Sequence, residues 1–259
     1  MTIDSTQVTG GDLVRFFADV SALYQRARQW LVDNEELVTA WARLAKRHLL
    51  FERAGWLPHY TTPFALIGDT TAETELSEIL EHYYKAAWPE VSRAFRSRMT
   101  GLDIDDEAKA TFEEALQAHE AGLYRSVVRT LFPEIERVAR TELLDGTLGP
   151  IASLGLVRRA AGQRLAFSEL EPIGGGPVFA QFGRMSRHLY DVVRTPEDVI
   201  RMSCDPVPNR HAALHGLVTY RSFQNSLNAL MMAEFMFQVV TALKVDIAGR
   251  SERPVGEHG

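Results

Sequence analysis

Cysteine is almost absent from this 259-residue chain, whose one thiol is Cys204. No internal disulfide can form, no Cys-x-x-Cys pair exists, and a cysteine-rich zinc site is excluded. A reducing, cytoplasmic setting is therefore the expectation. Long apolar runs are missing too. A membrane-crossing helix needs roughly 20 apolar residues, and the nearest stretch, Ser222 to Leu243, is interrupted by Gln224, Asn225, Asn228, Glu234 and Gln238. It reads as a buried helix of a soluble protein. The opening residues MTIDSTQVTGGD have neither a basic start nor an apolar centre, so no secretory leader is expected.

The signatures of several enzyme classes are also missing. There is no HExxH for a zincin, no GxSxG for a nucleophile elbow and no GxGxxG after a strand. Gly174-Gly175-Gly176 is not followed by GK[ST] and reads as a plain turn rather than a phosphate loop. Positive charge is in deficit, with a net charge of −6 that argues against a broad nucleic-acid coat. The deficit is uneven. Residues 1–150 hold 16 Lys+Arg against 24 Asp+Glu, whereas residues 151–250 hold 11 against 8. An anion site is therefore expected in the C-terminal half.

Hydrophobic residues make up 46% of the chain and charged ones 24%, an ordinary globular balance with enough apolar side chain for a sizeable core. Helical spacing dominates. Leu13, Phe16, Phe17, Val20 and Leu23 form one amphipathic face behind Asp12, and a second begins at Asp33-Asn34 and runs through Leu49. Residues 55–72 read as a loop with Pro58 and Pro63. A helix from about Thr74 to Met99 is expected to kink or divide at Pro89. Residues 105–122 and 123–145 predict two helices broken near Gly122, the second with Pro133 inside it. Residues 146–176 are irregular, with room for a short strand, and helical spacing returns from Val178 to Val193. Thr195-Pro196-Glu197-Asp198 combines a cap, a first-turn proline and acids at the positive helix end. After Asp205-Pro-Val-Pro208, a last helix is expected from Arg210 or His211 to Leu243. The fold class is all-α: an N-terminal helical region over 1–100, a bundle over 101–250 and a frayed tail over 251–259.

Trp56 beside His59, and Trp88 near Tyr83 and Tyr84, read as core. His48, His82, His119 and His188 read as structural or exposed. The dense polar cluster is Pro208-Asn209-Arg210-His211-Ala212-Ala213-Leu214-His215-Gly216, at the mouth of the most apolar stretch of the chain. On a continuous helix His211 and His215 share a face, while Arg210 lies about 140° from His215. A helix N-terminus there adds free N–H groups for an anion. A purely structural reading has Asn209 capping the helix, Arg210 pairing with an acid and the histidines satisfying buried polar groups.

Arg210-x4-His215 resembles the Rx4–6H motif of HEPN domains, the all-α bundles of many prokaryotic toxin, abortive-infection and CRISPR-associated ribonucleases. His211 stands where that family often has a polar residue. The string PNRHAALHG, with Tyr220 and Asn225-Ser226-Leu227-Asn228 after it, resembles the C-terminal motif of bacterial HEPN-like proteins. Ala118 to Tyr124, leading to Pro133-Glu134-Ile135-Glu136, resembles their earlier helix pair, so the resemblance spans roughly residues 105–245. It implies a cytoplasmic homodimer that cleaves RNA without a metal or other cofactor, through the RNA's own 2′-OH, in a defence or toxin setting. It further implies an antitoxin or regulatory protein as a possible partner and no membrane association. Arg210, His215 and His211 would be catalytic, with Asn209 and Tyr220 on the substrate side. Arg210 would grip phosphate, His215 and its counterpart in the second copy would divide acid and base roles, and His211 would orient substrate. Glu136 or Glu134 is the expected partner of Arg210.

Three rival readings fit the same residues. One is a HEPN-like binding module without catalysis. Another makes His211 and His215 metal ligands on one helical face, with Glu136 or Glu134 as a third. The last is an interaction protein whose apolar helix forms an oligomer seam.

Overall fold

A computed structural model describes residues 29, 33, 35–144, 188, 189 and 191–251, and no strand occurs among them. Eight helices follow in order: α1 (Glu35–Arg53), α2 (Glu73–Ala86), α3 (Trp88–Thr100), α4 (Asp106–Glu120), α5 (Tyr124–Leu144), α6 (Pro196–Cys204), α7 (Arg210–Leu214) and α8 (Phe223–Ser251). The protein is an all-α helical bundle. The chain divides into two units, residues 1–48 and 49–259, and the second carries the bundle described below. The helix expected behind Asp12, the irregular stretch 146–176 with its short strand, most of the segment 178–193 and residues 252–259 of the tail lie outside the described residues.

The boundaries follow local chemistry. Pro89 sits in the first turn of α3, where its missing N–H is harmless, so the expected kink is a clean division after Ala86. Asp105 caps α4 by accepting a hydrogen bond from the Ala108 N–H at 2.8 Å. Gly122, at φ +73°, ends α4 in the left-handed conformation that glycine adopts without strain. Pro133 lies inside α5, which continues through it. Thr195 and Asp198 form a reciprocal capping box on α6, with N–H to oxygen distances of 3.2 and 3.1 Å.

The continuous helix expected over 210–243 is two helices. α7 has five residues and stops at Gly216, whose φ of +70° turns the chain. The Leu217 N–H then donates back to the Ala212 carbonyl at 2.9 Å. α8 starts afresh behind Ser222, whose hydroxyl accepts from the Asn225 N–H at 3.0 Å while the Asn225 side chain accepts from the Ser222 N–H at 3.0 Å.

Helices α2 to α5 contact one another in chain order, and α8 packs on α5 and α4. One core joins Trp56, Leu80, Phe95, Phe112, Phe132 and Phe237, so helices on both sides of residue 100 share it. Each such side chain contributes roughly 2–3 kcal/mol by leaving water. Leu227, Leu230, Met232, Ala233 and Met236 of α8 are fully buried. The apolarity that the sequence offered as an oligomer seam is thus spent inside a single chain. No helix among the described residues is long and apolar enough to cross a membrane.

The polar residues that interrupt α8 hold loops against it. Asn228, fully buried, accepts from the Leu57 N–H at 3.2 Å and donates to the carbonyls of Gly55 (2.8 Å) and Pro206 (3.2 Å). Gln224 donates to the Ala54 and Gly55 carbonyls, and Asn225 to Pro206. Glu234, 1% exposed, meets the His59 Nε2 at 2.5 Å, with the Arg98 guanidinium 3.6 Å away. His59 Nδ1 lies 2.7 Å from the Thr61 hydroxyl, and the ring stacks on Phe95.

Asn228→Ala would leave the Leu57 N–H without its partner, while the Gly55 and Pro206 carbonyls keep Gln224 and Asn225. Since an unsatisfied buried group costs about 1–3 kcal/mol, a loss in that range is expected in urea unfolding; an unchanged unfolding free energy would show that the loops hold without Asn228. His119 supplies a pH-dependent expectation. It is buried among Trp88, Tyr124 and Phe223, with Nδ1 2.7 Å from the Ser226 hydroxyl, and burial pushes it down to about 4. As pH falls from the usual histidine value near 6.5 toward 4, the unfolded chain takes up a proton that the folded chain refuses. Stability present above pH 6.5 is lost over that window, by roughly 3 kcal/mol for this group. The stability difference between wild type and His119→Gln is expected to shrink across the same range, and a flat difference would place the histidine's titration elsewhere.

Candidate functional site

The cluster 209–220 is a short helix and a turn laid against α5, and its two ends are built by different means. Asn209 is wholly buried. Its side-chain oxygen accepts from the Ala212 N–H at 2.8 Å, capping α7, while its amide donates to the carbonyls of His188 (2.6 Å) and Asp191 (3.0 Å). Its backbone N–H donates to the Tyr220 hydroxyl at 3.1 Å. Tyr220 is buried as well, and desolvation pushes its phenol up to about 12. Both residues, expected on the substrate side, stand behind the motif and brace it.

Arg210 reaches α5 and pairs with Glu136, which also accepts from Arg140 at 3.0 Å. Of the two acids expected as its partner, Glu136 takes the role. Glu134 is drawn instead to Arg137, which bridges to the α4 cap Asp105 at 2.7 Å. The arginine holds the Asp105 carboxyl below the usual carboxylate range.

His211 and His215 come together although the helix ends between them. Their ring centroids are 4.4 Å apart, His211 half-buried and His215 exposed. Burial, the neighbouring His215 and the guanidiniums of Arg210 and Arg194 all push His211 below the usual histidine value, so it is neutral at pH 7. Its Nδ1 is buried and makes no hydrogen bond. Among the described residues, neither imidazole hydrogen-bonds to the protein, whereas the rings of His59, His119 and His188 all do. Two parts of the structural reading are therefore present: Asn209 caps and Arg210 pairs with an acid. The third is not, because these histidines satisfy no buried group.

No group of three His, Cys, Asp or Glu residues placed to hold a metal ion occurs among the described residues. Among the described residues the two acids expected as a third ligand are engaged elsewhere, Glu136 by Arg210 and Arg140 and Glu134 by Arg137. The His59–Glu234 pair is the feature that sequence reasoning missed. Its partners lie 175 positions apart, and only the oddity of one acid in an apolar helix hinted at it. Both His59 nitrogens are engaged and its ring is covered by Phe95 and Tyr60, which suits holding a loop rather than meeting a substrate. Comparison with protein-family models, curated proteins and solved structures finds no match.

Gly216 sets the position of His215. A Cβ there meets nothing within 4 Å, so the only penalty for a side chain is its positive φ. Gly216→Ala is expected to cost about 1 kcal/mol, read as a fall of a few degrees in Tm. An unchanged Tm would mean that the turn relaxes without strain.

Proposed function

We propose that this chain is a metal-independent RNA endonuclease whose reacting groups are Arg210, His211 and His215. The observation that carries the reading is the pair of contacting imidazoles with no structural hydrogen bond, beside a guanidinium held at fixed depth by Glu136. In the reaction, the 2′-oxygen of RNA attacks the adjacent phosphorus. The new bond is O2′–P and the bond that breaks is P–O5′, leaving a 2′,3′-cyclic phosphate and a free 5′-hydroxyl. One group must take the 2′-proton and another must deliver a proton to O5′, while a cation offsets the charge of the phosphorane.

Neutral His211 has the protonation state of a base at pH 7. His215, exposed beside it, supplies the second proton-transfer group, and Arg210 offers forked donors to the scissile phosphate. In the homodimer implied by the resemblance to HEPN domains, the second copy adds another set. A cytoplasmic defence or toxin role, with an antitoxin or regulatory protein as partner, belongs to the same proposal.

The test is cleavage of a labelled RNA with mapping of the product ends. His215→Ala is expected to lower the rate by roughly 10²–10⁴-fold, the usual contribution of an acid–base group. Arg210→Lys keeps the charge but loses the fork, so it is expected to be impaired as well. Activity should survive a chelator, and DNA of the same sequence should resist. Equal cutting of DNA and RNA, or normal cutting by His215→Ala, would overturn the proposal.

A further inference from the structure

Beside the motif lies a shallow depression between α5 and the 213–220 turn. Its floor is Val128, Ala213, Val218 and Tyr220, and its rim carries Arg125, Arg129 and Thr219. Arg125 and Arg129 are four apart on α5, on the same helical stripe as Glu136 and Arg140. Both are exposed, and among the described residues neither side chain meets a carboxylate. This sets them apart from Arg96, Arg137, Arg140 and Arg201, each of which is paired with an acid. Four residues of helix advance about 6 Å, a separation comparable to that of successive phosphates along an extended single strand. The depression is too small to seat a base, and its rim offers two forked cationic donors with one hydroxyl between the elements.

We infer that Arg125 and Arg129 form a phosphate subsite that takes the backbone of single-stranded RNA next to the phosphodiester held by Arg210. The inference rests on the RNA reading of the 210–215 motif and adds a binding register to it. A strand laid along α5 would place neighbouring phosphates on Arg125 and Arg129 and the scissile one at Arg210, so the stripe acts as a positioning rail. Arginine suits this role because its planar fork meets phosphate oxygens in pairs.

The experiment uses the full chain and a fluorescent 2′-O-methyl RNA strand, which lacks the attacking hydroxyl and cannot be cut by the proposed chemistry. Binding is followed by anisotropy across a salt series, alongside cleavage of the ordinary RNA. Replacing both arginines by glutamine is expected to weaken binding at least about tenfold and to lower the slope of log affinity against log salt by about 1.4, two phosphate contacts on a single strand. Replacing both by lysine should keep most of that slope. His215→Ala should bind like wild type. Both arginines are exposed, so Tm should hold; if the double glutamine variant melts early, Arg125→Gln and Arg129→Gln are read singly. An unchanged affinity and salt slope in the glutamine variants would overturn the subsite even if RNA is cleaved. Failure of the wild type to bind the strand would overturn it too. Weakened binding with unimpaired cleavage by His215→Ala would uphold the subsite and sink the catalytic reading instead.

Discussion

Everything in the bundle hangs on a row of amide side chains inside its most apolar helix. Gln224, Asn225 and Asn228 reach out of α8 to the backbone of residues 54–57 and to Pro206, where no helix or sheet satisfies the main chain. Buried backbone groups need partners, and an all-helical fold has no sheet edge to lend them. The amides supply partners at two loops at once, tying the segment before α2 to the segment just before α7. The same helix thus provides both the apolar surface that drives collapse and the hydrogen bonds that decide which loops lie against it.

That tie fixes the candidate site indirectly. Pro206 is pinned to α8, Val207 accepts from His188, and Asn209 binds the carbonyls of His188 and Asp191. A five-residue helix has too few internal hydrogen bonds to persist by itself. α7 persists because its cap is anchored on both sides and its far end closes on Gly216. Arg210 and the two histidines are thereby presented by a rigid support, while their own side chains remain largely outside the core.

Much of the fold was legible because helices announce their ends. Pro89, Asp105, Gly122 and the Thr195–Asp198 box all mark boundaries through short-range steric and capping rules. The break at Gly216 obeyed the same rules, with a glycine after His215 and a serine cap before Phe223. It was hidden by the strong apolar pattern that resumes beyond it. Glu136 as the partner of Arg210 was half legible, because Glu134 and Glu136 differ only in the face of α5 they occupy and that face depends on what packs opposite. The His59–Glu234 pair and the placement of Arg125 and Arg129 beside Val218 were not legible at all. They arise from tertiary docking of segments far apart in the chain, and no local rule encodes them.

The carboxylate of Glu136 is a resident occupant of the Arg210 fork. Any incoming anion must compete with a ligand already covalently tethered in place, at an effective concentration that free chloride or sulfate does not match. A lone small anion gains little from such an exchange. A polymer that makes several contacts at once can meet the displacement cost from its other attachments, and the displaced Glu136 still has Arg140 to receive it. In the proposed ribonuclease, the resting motif would therefore be electrically quiet toward simple ions and favour extended, multiply charged chains, a discrimination set by one shared acid and not by the shape of a pocket.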